Sequence, residues 1–180
     1  MLDIARTLLI VTDIQGNLAR LMHERESLYK NAAILIDGIR ALNVPILWVE
    51  QYPNGLGPTI PEIASHLEGL NPLSKRTFSS LRDVAIERTF NEMGRDQVLM
   101  CGIEAHVCIH QTTMDLLTRG VEVHTVADAV SSRTEFNKRI GIEKAARAGA
   151  VITSVETALF ELLGKAEVEA FKTILGLGTW

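Results

Sequence analysis

Five short apolar runs, mostly continuous rather than alternating, recur along the chain with helix-like stretches between them: Leu8–Val11, Pro45–Val49, Val98–Cys101, Val121–Val126 and Ala150–Ile152. A strand wetted on one face alternates polar and apolar residues, so unbroken apolarity marks strands covered on both faces. The intervening segments, such as Ala32–Leu42, carry helical patterning, and helices in that position make the long right-handed crossovers that parallel neighbours require. The rhythm therefore predicts a three-layer α/β sandwich with a mainly parallel central sheet. At 180 residues, without a repeat or a linker-like stretch, residues 1–180 read as one domain. Glu50–Thr59, with its glycines and prolines, reads as a loop.

In open parallel sheets ligands sit beyond the carboxyl ends of the strands. The residues there are Asp13, Ile14 and Gln15 after the first strand, Glu50, Gln51 and Tyr52 after the second, Gly102–Cys108 after the third, and Asp128 after the fourth. Lys75 lies in a short turn-flanked segment ahead of a helix expected near Ser79 or Ser80. Cys108 is the most suggestive of these, because a helix expected over His106–Arg119 begins around it. Unpaired N–H groups at a helix start favour an anion, so the spacing predicts a thiol that ionises near neutral pH, helped by an ammonium such as that of Lys75. Against this stand plain alternatives: Cys108 as a small buried hydrophobe, Asp13 as a helix cap, Lys75 as a solvated charge.

A formal charge of −4 with no basic cluster argues against nucleic acid as a partner. No apolar run is long enough for a bilayer, and Met1–Arg6 has none of the features of a secretory leader. Two cysteines, Cys101 and Cys108, do not make a disulfide framework, so a reduced, cytoplasmic setting is expected.

Four segments in order, Leu9–Gln15, Lys75–Phe78, Gly102–Cys108 and Asp128–Arg133, resemble those of the isochorismatase-like cysteine hydrolases. Glu50–Pro53 with Gly55–Pro58 is similar to the isochorismatase-domain-containing branch, and the likeness runs from Leu8 to about Leu163. The resemblance implies a Rossmann-like αβα sandwich and a triad of Asp13, Lys75 and Cys108. It also implies a non-proline cis peptide at Ile103–Glu104 and an oxyanion hole from the Glu104 and Cys108 backbone N–H groups. The chemistry implied is hydrolysis of a small amide-like C–N bond through a thioester, with a small molecule as substrate and a homo-oligomer as the working form.

Around that triad, Gln15, Tyr52, Phe78, Ile103 and His106 are candidates for the pocket, and Arg133 for pairing an acid or pinning its loop. Nicotinamidases of this superfamily hold a metal through histidines after the second strand; here the segment is Glu50-Gln51-Tyr52-Pro53, so no metal and no other cofactor is expected. His106 and His110 are spaced i, i+4 but lack the glutamate of HExxH chemistry. Two rival functions remain: vinyl-ether hydrolysis with Asp13 as the acid, and an oligomeric binding or redox-sensing module. Cys101 is expected to be inert, and Leu175–Gly178 with Trp180 to form a tail beyond the last helix.

Overall fold

The computed structural model describes residues 1–167 and 169–178. Among these described residues six strands form one all-parallel sheet in the order β3-β2-β1-β4-β5-β6. Along the chain run β1 (Thr7–Thr12), α1 (Gly16–Arg20), α2 (Arg25–Ala41), β2 (Ile46–Gln51), α3 (Pro53–Leu56), α4 (Pro61–Ala64) and β3 (Leu73–Lys75). They are followed by α5 (Val84–Met93), β4 (Gln97–Ile103), α6 (His110–Thr118), β5 (Glu122–Ser131), α7 (Glu135–Arg147), β6 (Val151–Thr153), α8 (Val155–Leu163) and α9 (Glu169–Leu177).

Both faces of the sheet are buried at its centre, in β1 and β4, as the continuous runs require. At the edge strand β6 they are not: Val151 and Ile152 are exposed because no further strand among the described residues covers that side. Leu9 and Val11 of β1 join Leu35 and Ile39 of α2 and Leu159 of α8 in one core, while Leu8 and Ile10 join Ile86 and Phe90 of α5 and Leu116 of α6 in the other. The strand order is that of a Rossmann sheet, with its switch point between β1 and β4, where the chain changes direction across the sheet. At that point Gly102 has φ of +123°, and a Cβ on it would lie 2.0 Å from the Thr12 carbonyl oxygen. Only glycine lets the ends of β1 and β4 approach this closely.

Several local expectations change. Leu73–Lys75, read as a turn-flanked segment, is the edge strand β3. Glu50 and Gln51 belong to β2, and Pro53–Leu56 within the expected loop forms a single helical turn. The helix expected near Ser79 or Ser80 starts as a 3-10 turn over Ser80–Arg82; α5 follows, with Asp83 capping it by accepting from the Ala85 and Ile86 N–H groups. The helix expected from His106 opens as a π-helical turn, Ala105–Ile109, before α6. Leu175, Gly176 and Leu177 are not a tail: they end α9, which docks on α2 and buries Ile174. Trp180 lies outside the described residues.

Candidate active site

Asp13 follows directly on β1, a non-glycine residue with φ of +57° that is 2% exposed. The Asp13 N–H donates to the Val49 carbonyl of β2, which fixes the turn as the chain leaves the sheet. Lys75 ends β3, two strands away, and adjacent strands are about 4.8 Å apart. A long flexible stem is needed to cross β2, and Lys75 supplies it with its side chain fully buried. Its Nζ donates to Asp13 Oδ2 at 2.7 Å and to Gln51 Oε1 at 2.6 Å. Gln51 is the register partner of Lys75, and its Nε2 donates to the Arg76 carbonyl at 3.1 Å.

Cys108 enters from β4 on the other side of the switch point, on the π-helical turn, 7% exposed. The peptide between Ile103 and Glu104 is cis. The Glu104 carbonyl accepts from the Val107 and Ile109 N–H groups, and the Glu104 carboxylate accepts from the Arg133 N–H at 3.0 Å and its Nε at 3.1 Å. Asp13, Leu18, Gln51, Leu56, Phe78, Ile103, Glu104, Val107 and Cys108 line a cavity of about 110 Å³. The Cys108 thiol and the Asp13 carboxyl lie near enough to influence each other's ionisation, and the buried Asp13 Oδ1 has no hydrogen-bond partner of ordinary geometry among the described residues.

Burial pushes the Asp13 carboxyl above its usual value, opposed by the Lys75 ammonium. The Cys108 thiol is pushed up to about 12, first by burial and then by the Asp13 charge, with Lys75 pulling the other way. This reverses the expectation of a thiol ionised near neutral pH: desolvation and a facing carboxylate outweigh one ammonium and a helix start. The thiol thus faces a carboxylate that opposes its ionisation and could accept its proton.

The expected residues divide. Asp13, Lys75 and Cys108 meet, and Phe78, Ile103 and Glu104 wall the cavity. Gln15, Tyr52 and His106 do not line it. The Gln15 side chain is spent bracing the loop after β2, donating to the Gln51 and Gly57 carbonyls and accepting from the Gln51 N–H. Tyr52 turns outward beneath the Arg76 guanidinium, 4.2 Å from its ring centre, and His106 Nδ1 pairs with Ser132 Oγ at 3.0 Å. Asp128 lies inside β5 rather than beyond it, and its carboxylate accepts from the Val155 N–H at the start of α8. Glu50, likewise, is taken up by the Thr59 N–H and hydroxyl. Arg133 does pair an acid, Glu104. Leu18, Leu56 and Val107 had no signal in the sequence, whereas Gln51 stood at a strand end without an assigned role. Among the described residues no three His, Cys, Asp or Glu side chains group as metal ligands would.

Comparison with known proteins gives a consistent picture. A family model for the isochorismatase domain matches residues 7–157. Isochorismatase domain-containing protein 2 of Danio rerio is 38% identical over 93% of this chain and 84% of its own. A secreted isochorismatase effector, Isc1 of Phytophthora sojae, is 38% identical over 93% of this chain and 82% of its own. Among solved structures, the MAR1 ribonuclease of Caenorhabditis elegans superposes with a TM-score of 0.91 at 35% identity, covering 98% of this chain and 91% of the other. No described helix is long and apolar enough to cross a membrane.

Proposed function

We propose, from the premise that this chain belongs to the isochorismatase family of hydrolases, that it cleaves a small amide-like C–N bond through a cysteine thioester. The observation that carries this reading is the division of labour at Asp13. Lys75 grips one carboxylate oxygen and leaves the other, buried and without a hydrogen bond, on the cavity wall with the Cys108 thiol. A neutral thiol facing a base is activated as it attacks rather than beforehand. Asp13 takes the Cys108 proton while Sγ bonds to the substrate carbonyl carbon. The Glu104 and Cys108 backbone N–H groups are the donors assigned to the resulting oxyanion. Asp13 then returns the proton to the departing amine, and a water deprotonated by the same carboxylate releases the acid from the thioester. A cavity of about 110 Å³ is well below the roughly 300–1,000 Å³ of drug-sized pockets, so the acyl part should be a few heavy atoms, with Phe78, 55% exposed, at its edge.

One observation favours a second reading. A carboxyl whose pKa is raised by burial is also suited to give a proton, as protonation of a vinyl ether requires, and a relative is described as an isochorismatase. Cys108→Ala separates the two. Loss of amine release from a panel of small amides, with an unchanged circular dichroism spectrum, supports the thioester route. Retained amine release overturns it, and pyruvate release from isochorismate by the alanine variant favours acid catalysis by Asp13. A homo-oligomer remains the expected assembly, consistent with the exposed Leu21, Val84 and Phe136 side chains and measurable by light scattering. A cytoplasmic setting remains the expectation from two unpaired cysteines.

A further inference from the structure

The turn that carries Cys108 rests on α7, a helix that contributes nothing to the cavity. The contact is made at Gly141. A Cβ there would lie 2.5 Å from the Ala105 carbonyl carbon, 2.6 Å from its oxygen and 2.7 Å from the His106 nitrogen. All three are backbone atoms, so no side-chain rotation could make room, and either the turn or the helix would have to move. Gly141 lies within regular helix and has no positive φ. A mid-helix glycine costs about 1 kcal/mol relative to alanine; what it provides here is closeness. Just ahead of α7, Arg133 holds the same turn from its other end, its N–H and Nε both donating to the buried Glu104 carboxylate. The two contacts fall on Glu104 and on Ala105–His106, so together they fix the stretch of backbone that leads from the Glu104 N–H to the Cys108 N–H.

We propose that Arg133 and Gly141 are positioning residues, which act through Glu104 and the Ala105–His106 backbone to hold the two oxyanion donors in place. The proposal rests on the thioester reading of Cys108. It distinguishes two reactions of one thiol. With 4-nitrophenyl acetate, Sγ bonds to the acetyl carbon, an oxyanion forms, 4-nitrophenolate leaves, and the thiol proton passes to Asp13. With iodoacetamide, Sγ bonds to the saturated carbon, iodide leaves, the thiol proton is released, and no oxyanion forms.

In Arg133→Met and Gly141→Ala, acylation should slow about 100-fold, the usual result of donors displaced by a fraction of an ångström to an ångström. Alkylation of Cys108, followed by mass spectrometry, should change by less than about threefold, because the carboxylate and ammonium around the thiol are untouched. Arg133→Lys, which keeps a cation beside Glu104, should recover part of the acylation rate. The Arg133 side chain is 56% exposed, so its variants test the proposal even if Gly141→Ala fails to fold. Parallel changes in both reactions, or no change in either, overturn it. A wild-type protein that alkylates but never acylates removes the thioester reading and this inference together, whereas an acylating wild type matched by its variants removes the inference alone.

Discussion

At the scale of single residues, the ion pair between Lys75 and Asp13 is the feature with the largest consequences, since both partners are almost wholly withdrawn from water. Removing one partner of a buried pair strands the other, at a cost of about 3–5 kcal/mol. Lys75→Met should therefore be destabilised by that order at pH 8 in urea unfolding. The loss should shrink on acidification. A carboxyl whose folded pKa is raised contributes stability that is present below its unfolded value, near 3.8, and is lost as pH rises through the folded one. Without its ammonium, Asp13 is pushed further in that direction. If the variant were equally destabilised at pH 5 and pH 8, the Asp13 charge would not be what burial opposes. Asp13→Asn has the opposite readout. It removes the charge that helps hold the Cys108 thiol up near 12 and leaves the Lys75 ammonium in place. Iodoacetamide should then alkylate Cys108 faster than in the wild type at pH 9, with Cys101 as internal control, while hydrolysis disappears. Slower alkylation would contradict the assigned sign.

At the scale of elements, Asp128 shows how a strand-end position can mislead. Its carboxylate is committed to the first N–H of α8, and its carbonyl to Asn31 Nδ2 of α2, so it ties two helices to β5. Asp128→Asn should cost at most about 1.5–3 kcal/mol, the range for a hydrogen bond to a charged group, and leave kcat at the wild-type value; a collapse of kcat in folded protein would return it to the site. The strands that were legible are those long enough to show uninterrupted apolarity, such as β1 and β4. β3 was not, because three residues with one apolar side chain carry no period, and its strand character comes from pairing with β2. Likewise Leu175–Leu177 read as a tail because two nearby glycines hide the end of α9, whose place is set by packing on α2 through residues such as Phe171 and Ile174. Asp13, Lys75 and Cys108 were legible through motif order and strand ends. Gln51 was half legible, since its backbone position follows from β2 but its bond to Lys75 depends on the register of β3. The thiol's ionisation was misread because a sequence displays a helix start and a lysine but not the desolvation that surrounds them.

At the scale of the whole molecule, the same burial makes a statement about stability against pH. Cys101 sits fully enclosed between the two ends of β4, and Cys108 at the switch point; both thiols are pushed up to about 12 from 9.0. For each, the folded pKa lies above the unfolded one, so its contribution is intact below about pH 9 and is lost as the unfolded chain ionises toward pH 12. Each thiol adds a slope of about 1.4 kcal/mol per pH unit in that window. The urea midpoint should thus be flat from pH 7 to 8.5 as far as the thiols are concerned, then fall. Cys101→Ala should lose about half of the thiol-dependent slope, and Cys101→Ala with Cys108→Ala nearly all of it. The Tyr29 hydroxyl, also raised by burial, keeps its own share at the alkaline end. The cost of deleting a sulfur from the core is independent of pH, so the comparison of slopes is free of it. Identical slopes in wild type and both variants would mean that the thiols ionise as easily folded as unfolded, and that water reaches the centre of the sheet. The neutral-thiol mechanism depends on its absence there.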